Sequence, residues 1–530
     1  MIESIHLQNF KIFDSFDLTL NNDLNIIVGN NEAGKSTVLE AIGLALTKRI
    51  GGKQIEYELS PYLFNKSCSD TYLAALKEKK NPETPKILIE LYFSETERPE
   101  LQALRGSNNS RKSDSIGIKL EIVFDDDYKE EYAKLLADAS ETKVIPAEYY
   151  RVNWLSFANN GITARSLPVT LFYIDATTVR LQSGTDHYVQ NIISDGLSPK
   201  EKVALAVEYR KLKESFSAQP AIKTINDKLI KGSISDKSLS IGIDISQKTN
   251  WENNLVPHLD ELPFQLAGKG EQTALKIMLA LERKAQDSDM ILIEEPENHL
   301  SYSSMTTLIS RISEKCAGKQ ILVTTHSAYV LNKLGIEKVL LLHGNKTTSL
   351  AALPADTYNY FKKLSGYDTL RLILAKKAIL VEGPSDELIV QRAYKEKHGK
   401  LPIEMGVDVI NVRGLSFIRF LDIAKLISKE IIVVTDNDGD FAKNVTDKYA
   451  LYVGPKVKIC ADADNTAKTL EPQFAKCNTL VALNLVLGTN HLDQAALLVY
   501  MENNKTECAI RIFETAQAVM FPQYIQDAVA

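Results

Sequence analysis

Residues 24–36 constrain this chain more than any other stretch. Leu24-Asn-Ile-Ile-Val28 is short, apolar and rich in branched residues, which predicts a buried strand. Gly29-Asn-Asn-Glu-Ala-Gly34-Lys35-Ser36 follows directly, and Leu39, Ile42 and Leu46 then recur at helical spacing. Strand, G-x-x-x-x-G-K-S and helix, in that order, is the context in which a phosphate-binding loop works. Its glycines let backbone N–H groups wrap phosphate oxygens, so Asn30, Asn31, Gly34 and Thr37 are candidate nucleotide contacts. Lys35 is expected at the β- and γ-phosphates and the Ser36 hydroxyl on magnesium. An α/β fold with ATP as ligand is therefore the starting expectation.

Further along, Gln265-Leu-Ala-Gly268-Lys-Gly270-Glu271-Gln272 precedes a helical stretch, and Met290-Ile-Leu-Ile-Glu294-Glu295-Pro-Glu297-Asn-His299-Leu300 follows it. An apolar run ending in two acids has the form of a Walker B strand. Glu294 is expected to hold magnesium through water, and Glu295 to orient or deprotonate the attacking water. Gln320-Ile-Leu-Val-Thr-Thr-His326-Ser327 predicts another parallel strand, with His326 at its C-terminal edge.

These motifs, with Phe10-Lys11 in I-x-L-x-N-F-K, resemble the ATPase heads of SMC, RecF and Rad50 proteins. The resemblance implies that ATP is sandwiched between two heads, so a homodimer or higher homo-oligomer is expected. It also implies that His326 faces the γ-phosphate and that Gly270, Glu271 and Gln272 of one subunit cap the phosphates bound by another. The signature departs from the L-S-G-G-Q form, and the glutamine-bearing loop of such heads has no evident counterpart. Between the motifs, residues 66–116 read as polar and lysine-rich, with loop signals at Asn81–Pro85 and Gly106–Ser110. Residues 186–235 read as mostly helical, too short for a long coiled-coil arm, and are expected to be a compact insertion that pairs subunits.

A new α/β pattern begins near Tyr360. Lys377–Val381 predicts a strand ending at Glu382-Gly383-Pro-Ser-Asp386; Val407–Val412 predicts a second strand, leading to Arg413-Gly414; Ile431–Thr435 predicts a third, ending at Asp436-Asn-Asp438-Gly-Asp440. Acids at the C-terminal ends of neighbouring parallel strands share one crevice. Their mutual repulsion makes such a cluster costly without cations, and oxygen-only ligands suit Mg²⁺ or Mn²⁺.

E-G-x-x-D followed by D-x-D resembles the Toprim domain of topoisomerases, bacterial primases and OLD (overcoming lysogenisation defect) nucleases. The resemblance makes Glu382 catalytic and a metal ligand, with Asp386, Asp436 and Asp438 as further ligands. It implies an additional acidic element at Glu471 and a basic residue, Lys505, at the scissile phosphate. An SMC-like head followed directly by a Toprim domain is the OLD architecture. It implies ATP-regulated, Mg²⁺-dependent DNA nicking or cutting, with anti-phage defence as the expected biology. A separately encoded helicase, or a reverse transcriptase with its RNA and DNA, is a candidate partner. The expected borders are 1–185 and 236–360 for the two ATPase segments, 186–235 for the helical insertion and 361–530 for the Toprim domain.

The alternative is a RecF-like ATP-gated clamp or scaffold with little cleavage. A topoisomerase would need a tyrosine-bearing DNA-binding domain, and a primase its zinc ribbon. Cys68, Cys316, Cys460, Cys477 and Cys508 contain no C-x-x-C pair and suggest no disulfide framework. With a net charge of −6, DNA engagement is expected to rest on local basic patches or on metal ions. The N-terminus lacks the features of a signal peptide and no apolar run has spanning length, so the cytoplasm is expected and a membrane is not.

Overall fold

The computed structural model describes residues 1–78, 80, 82–136, 143–175, 181–182, 185–186, 197–229, 241–243, 256–283, 288–298, 300–315, 318–363, 369–413 and 416–530. Two compact units emerge. One combines Met1–Asn25 with Ser36–Thr324, the other Ile26–Lys35 with Thr325–Ala530.

Along the chain come β1 (Ile2–Phe10), β2 (Phe13–Thr19), β3 (Leu24–Gly29), α1 (Lys35–Thr47), α2 (Lys66–Lys77), β4 (Ile87–Phe93), β5 (Ser115–Phe124) and β6 (Tyr150–Ser156). In the first unit β2, β1, β4, β5 and β6 form an antiparallel sheet in that order. Its register aligns Phe16, Leu7, Ile89, Leu120 and Trp154 in one row across all five strands, and all five side chains are buried. A one-residue slip of any strand would turn its member of the row to the opposite face. Burying each such side chain contributes roughly 1.5–3 kcal/mol, so the row holds the register. Trp154 Nε1 donates to the carbonyl of Ala45 in α1 at 2.8 Å, which ties sheet to helix. The stretch 66–116, read as polar and loop-rich, therefore contains α2 and the fully buried strand β4. Of the two loop signals, 82–85 and 107–110 lie outside helices and strands, Gly106 ends a short strand, Arg105–Gly106, and residue 81 lies outside the described residues.

The same unit holds three parallel strands, β7 (Leu171–Asp175), β8 (Met290–Glu294) and β9 (Gln320–Thr324), with Ile174, Ile293 and Val323 in register. Between β7 and β8 lie α3 (Pro199–Ser217), α4 (Pro220–Leu229) and α5 (Lys269–Arg283); α6 (Tyr302–Lys315) follows β8. Ser198 and Glu201 start α3 as a reciprocal capping box, with Pro199 at its first position. The expected helical insertion is helical over α3 and α4, while residues 187–196 and 230–235 lie outside the described residues.

In the second unit, α7 (Ala328–Leu334) leads to β10 (Val339–His343), which runs parallel to Ile26–Gly29 of β3, and β11 (Lys346–Ser349) folds back on it. After α8 (Ala355–Lys363) and α9 (Thr369–Leu374) come β12 (Lys377–Val381), α10 (Pro384–His398), β13 (Val407–Asn411), α11 (Phe417–Leu426), β14 (Glu430–Val434) and β15 (Val457–Cys460). All four strands are parallel, ordered β13-β12-β14-β15. Five helices close the chain: α12 (Leu470–Cys477), α13 (Leu480–Leu487), α14 (Gln494–Asn503), α15 (Lys505–Glu514) and α16 (Gln523–Ala528). Val381, Val434, Ile389, Phe474, Leu497 and Ile512 are among the buried residues of one core here. Thr369 Oγ1 at the start of α9 donates to Asn332 Oδ1 in α7 at 2.7 Å, with both residues fully buried. Arg371 of α9 reaches Asp408 and the Val409 carbonyl of β13, each at 3.1 Å. Among the described residues, no helix is long and apolar enough to cross a membrane.

Candidate functional site

Two sets of polar side chains stand at strand ends. The first begins with the loop after β3. Gly34 has φ 94° and Glu32 φ 65°, so the chain turns tightly around its own amides. At Gly29 a Cβ would lie 2.8 Å from Ala33 Cβ and 3.1 Å from the Leu342 carbonyl, so only glycine fits. Lys35 is buried and its Nζ donates to the carbonyls of Gly29 (3.0 Å) and Asn30 (3.1 Å). Its ammonium thus lies across the loop that Asn30, Asn31 and Gly34 form. Ser36 and Thr37 follow in the first turn of α1. Thr325 N donates to Ile27 O at 3.3 Å, which sets the exposed His326 beside the strand that feeds this loop.

At the end of β8, Tyr173 Oη donates to Glu294 Oε2 at 2.6 Å. Glu295 takes up a left-handed backbone, φ 43°, held by its N–H donating to Thr324 O (3.0 Å) and Oγ1 (3.2 Å). Asn298 Nδ2 donates to Glu295 Oε2 at 2.8 Å. A non-glycine residue in that conformation is strained, and such strain collects where a side chain must be aimed. His299 lies outside the described residues. Of the signature residues, Gly270 and Glu271 sit in the first turn of α5, with Glu271 exposed. Gln272 turns inward instead: its Nε2 donates to the carbonyls of Gln265 (3.1 Å) and Ala267 (2.8 Å).

The second set lies at the C-terminal edge of the four-stranded parallel sheet. Glu382 follows β12, and its Oε1 accepts from Thr435 Oγ1 (2.5 Å) and Asp436 N (3.1 Å). Asp386, in the first turn of α10, accepts from Gly383 N at 3.0 Å. Asp436 and Asp438 follow β14, the latter with φ 49°. Between them the fully buried Asn437 donates through Nδ2 to the carbonyls of Asp462 (2.8 Å), Asp464 (2.9 Å) and Ala467 (3.3 Å). Glu471, buried at the start of α12, accepts from Thr469 Oγ1 (2.9 Å) and pairs with Lys505 Nζ (3.1 Å).

Glu382, Asp386, Asp436, Asp438 and Glu471 are thus neighbours, and their charges register on one another. Burial, then Glu382 and Glu471, push the Asp386 carboxyl up to about 7. Burial, then Glu382, Asp386, Glu471 and Asp438, push Asp436 up to about 8. For Lys505, burial works against the charge, yet Glu471 and the aspartates raise its pKa. The donor set is all oxygen and anionic, which suits a hard divalent cation. Among the described residues no three acidic, His or Cys side chains close on one point. Glu382 is turned to Thr435, Asp386 to Gly383 and Glu471 to Lys505, so a cation would draw them from protein partners. Thr435 and Asn437, which orient this edge, escaped the sequence reading. The Asn inside D-N-D was their one visible signal.

Residues 1–331 match the family model described as AAA ATPase domain, and residues 373–438 the model described as overcoming lysogenization defect protein-like, TOPRIM domain. The endonuclease GajA of Bacillus cereus is 22% identical over 465 residues, covering 82% of this chain and 74% of GajA. An ATP/GTP phosphatase of Helicobacter pylori is 22% identical over 346 residues, 62% of this chain and 85% of its own length. A solved structure of the C-terminal region of the Burkholderia pseudomallei OLD protein is 19% identical, with a TM-score of 0.25, over 29% of this chain and 96% of its own.

Proposed function

The chain belongs to the AAA ATPase domain family and carries an OLD-like Toprim domain behind the ATPase; from that premise we propose that it is an ATP-regulated, divalent-metal-dependent DNA endonuclease acting in anti-phage defence. The observation that carries this reading is the gathering of five carboxylates and Lys505 at one edge of the Toprim sheet. Glu382, Asp386, Asp436, Asp438 and Glu471 hold Mg²⁺ or Mn²⁺ there. When bound, the metal supplies an activated water and charge stabilisation at the leaving oxygen. Thr435 fixes the rotamer of Glu382, Asn437 fixes the turn that presents Asp436 and Asp438, and Lys505 meets the scissile phosphate.

In the ATPase, Asn30, Asn31, Gly34, Lys35, Ser36 and Thr37 bind ATP, and Ser36 and Glu294 hold its magnesium. Glu295 activates water and His326 senses the γ-phosphate. Gly270, Glu271 and Gln272 cap ATP across a homodimer or higher oligomer. Support for pairing comes from α3, where Leu205, Tyr209, Leu212 and Phe216 recur on one helical face; Leu205, Leu212 and Phe216 are 36%, 65% and 38% exposed. We assign the ATPase to 1–185 and 236–360, the pairing insertion to 186–235 and the Toprim domain to 361–530. The assigned compartment is the cytoplasm, and a helicase or a reverse transcriptase with its nucleic acid is the candidate partner.

A plasmid-nicking assay with Mg²⁺ or Mn²⁺, comparing the unsubstituted chain with Glu382→Ala, tests the proposal. Nicked or linear product is expected from the unsubstituted chain alone. Equal cutting by the variant, or none by either across metals and with or without ATP, overturns it.

A further inference from the structure

A cluster of five carboxylates repels a DNA backbone, so cations beside the metal site are needed to seat phosphates on both sides of the cut. Lys505, paired with Glu471, is assigned to the scissile phosphate, which leaves the flanking phosphates to other cations. We propose that Lys468 is a second phosphate-contacting residue, holding a backbone phosphate that flanks the scissile one; this rests on the nuclease reading above.

Lys468 stands four residues after Asp464 and three before Glu471, in the segment that Asn437 clamps through the Asp462, Asp464 and Ala467 carbonyls. Its own carbonyl accepts from Asp438 N at 3.3 Å, so its backbone is fixed beside the D-N-D-G-D turn. The side chain then runs across that turn. Its Cε, Cδ and Cγ lie 3.2, 3.4 and 3.5 Å from where a Cβ on Gly439 would stand. Gly439, at φ +85°, both makes the turn and leaves the lane this stem occupies. The ammonium is one bond beyond Cε, and Gly439, over which the stem lies, stands between Asp438 and Asp440 in sequence. The residue is exposed, and among the described residues no carboxylate pairs with it. A cation carried over an acidic turn without being consumed by it suits an anion from outside, and the anion at this edge is a phosphodiester.

The test is plasmid nicking by the full chain in Mg²⁺, with kcat and KM measured from about 50 to 200 mM salt for the unsubstituted chain, Lys468→Met and Lys468→Arg. A flanking phosphate is held equally before and during reaction. Lys468→Met should therefore raise KM and keep kcat, and lower the slope of log KM against log salt by about 0.9. Lys468→Arg should keep the slope, because the charge is kept. A Met variant with unchanged KM and slope overturns the inference alone, as does one that loses kcat with KM unchanged. Failure of the unsubstituted chain to nick in any metal overturns the nuclease reading, and this inference with it. A thermal melt of Lys468→Met should match the unsubstituted chain, as expected for an exposed side chain.

Discussion

At Asp436 burial and four neighbouring carboxylates push the same way, lifting its pKa from 3.8 to about 8. The folded value lies above the unfolded one, so this group favours folding most below about pH 4, and that contribution is lost as pH rises through about 8. Asp386, raised to about 7, acts in the same sense over a narrower range. Metal-free protein should therefore melt at progressively lower temperature between pH 5 and 9, and added Mg²⁺ should flatten that decline. Asp436→Asn should abolish nicking yet raise Tm at pH 9 in chelator, with little change at pH 5. A lower Tm at pH 9 would contradict the electrostatic account. Much of this site was legible because metal chemistry restricts residue type: Glu382, Asp386, Asp436 and Asp438 stand at fixed steps from strand ends. Thr435 and Asn437 were not. What makes them matter is the hydroxyl reaching Glu382 and the amide gathering three carbonyls, and both are facts of tertiary placement.

Among the elements, legibility followed burial pattern. β8, β9, β12 and β14 are parallel strands whose centres read as apolar runs, while β3 and β13 are interrupted by Asn25 and Asp408. β4 is equally apolar, Ile87-Leu-Ile-Glu-Leu-Tyr-Phe93, but Lys77–Lys86 before it and the polar loop after it masked it in a reading by composition. Its one acid, Glu90, is buried and accepts from Ser110 N (2.9 Å) and Tyr92 Oη (2.7 Å), partners no local pattern announces. The link between α7 and α9 was equally hidden, being a side-chain bond between residues 37 apart. Thr369→Val keeps the shape and removes the donor of this fully buried hydrogen bond. That should cost about 1 kcal/mol. Chemical denaturation would read this as a lower midpoint with an unchanged slope.

Across the whole molecule the two chemistries should separate. Lys35→Ala should abolish ATP hydrolysis and leave metal-dependent nicking measurable in ATP-free buffer; Asp436→Ala should do the reverse. Phosphate release and plasmid nicking, assayed on the same preparations, decide this, and loss of both activities in either variant would contradict it. The family matches end at 331 and resume at 373. Here the ends of that interval are stitched by Asn332 and Thr369, and Thr357 of α8 is hydrogen-bonded to Asp422 of α11. The Toprim sheet is consequently a poor cassette. A gene fusion that lifted residues 361–530 onto another ATPase would part Thr369 from Asn332 and Asp422 from Thr357, so recombination could trade this nuclease only together with residues 332–360.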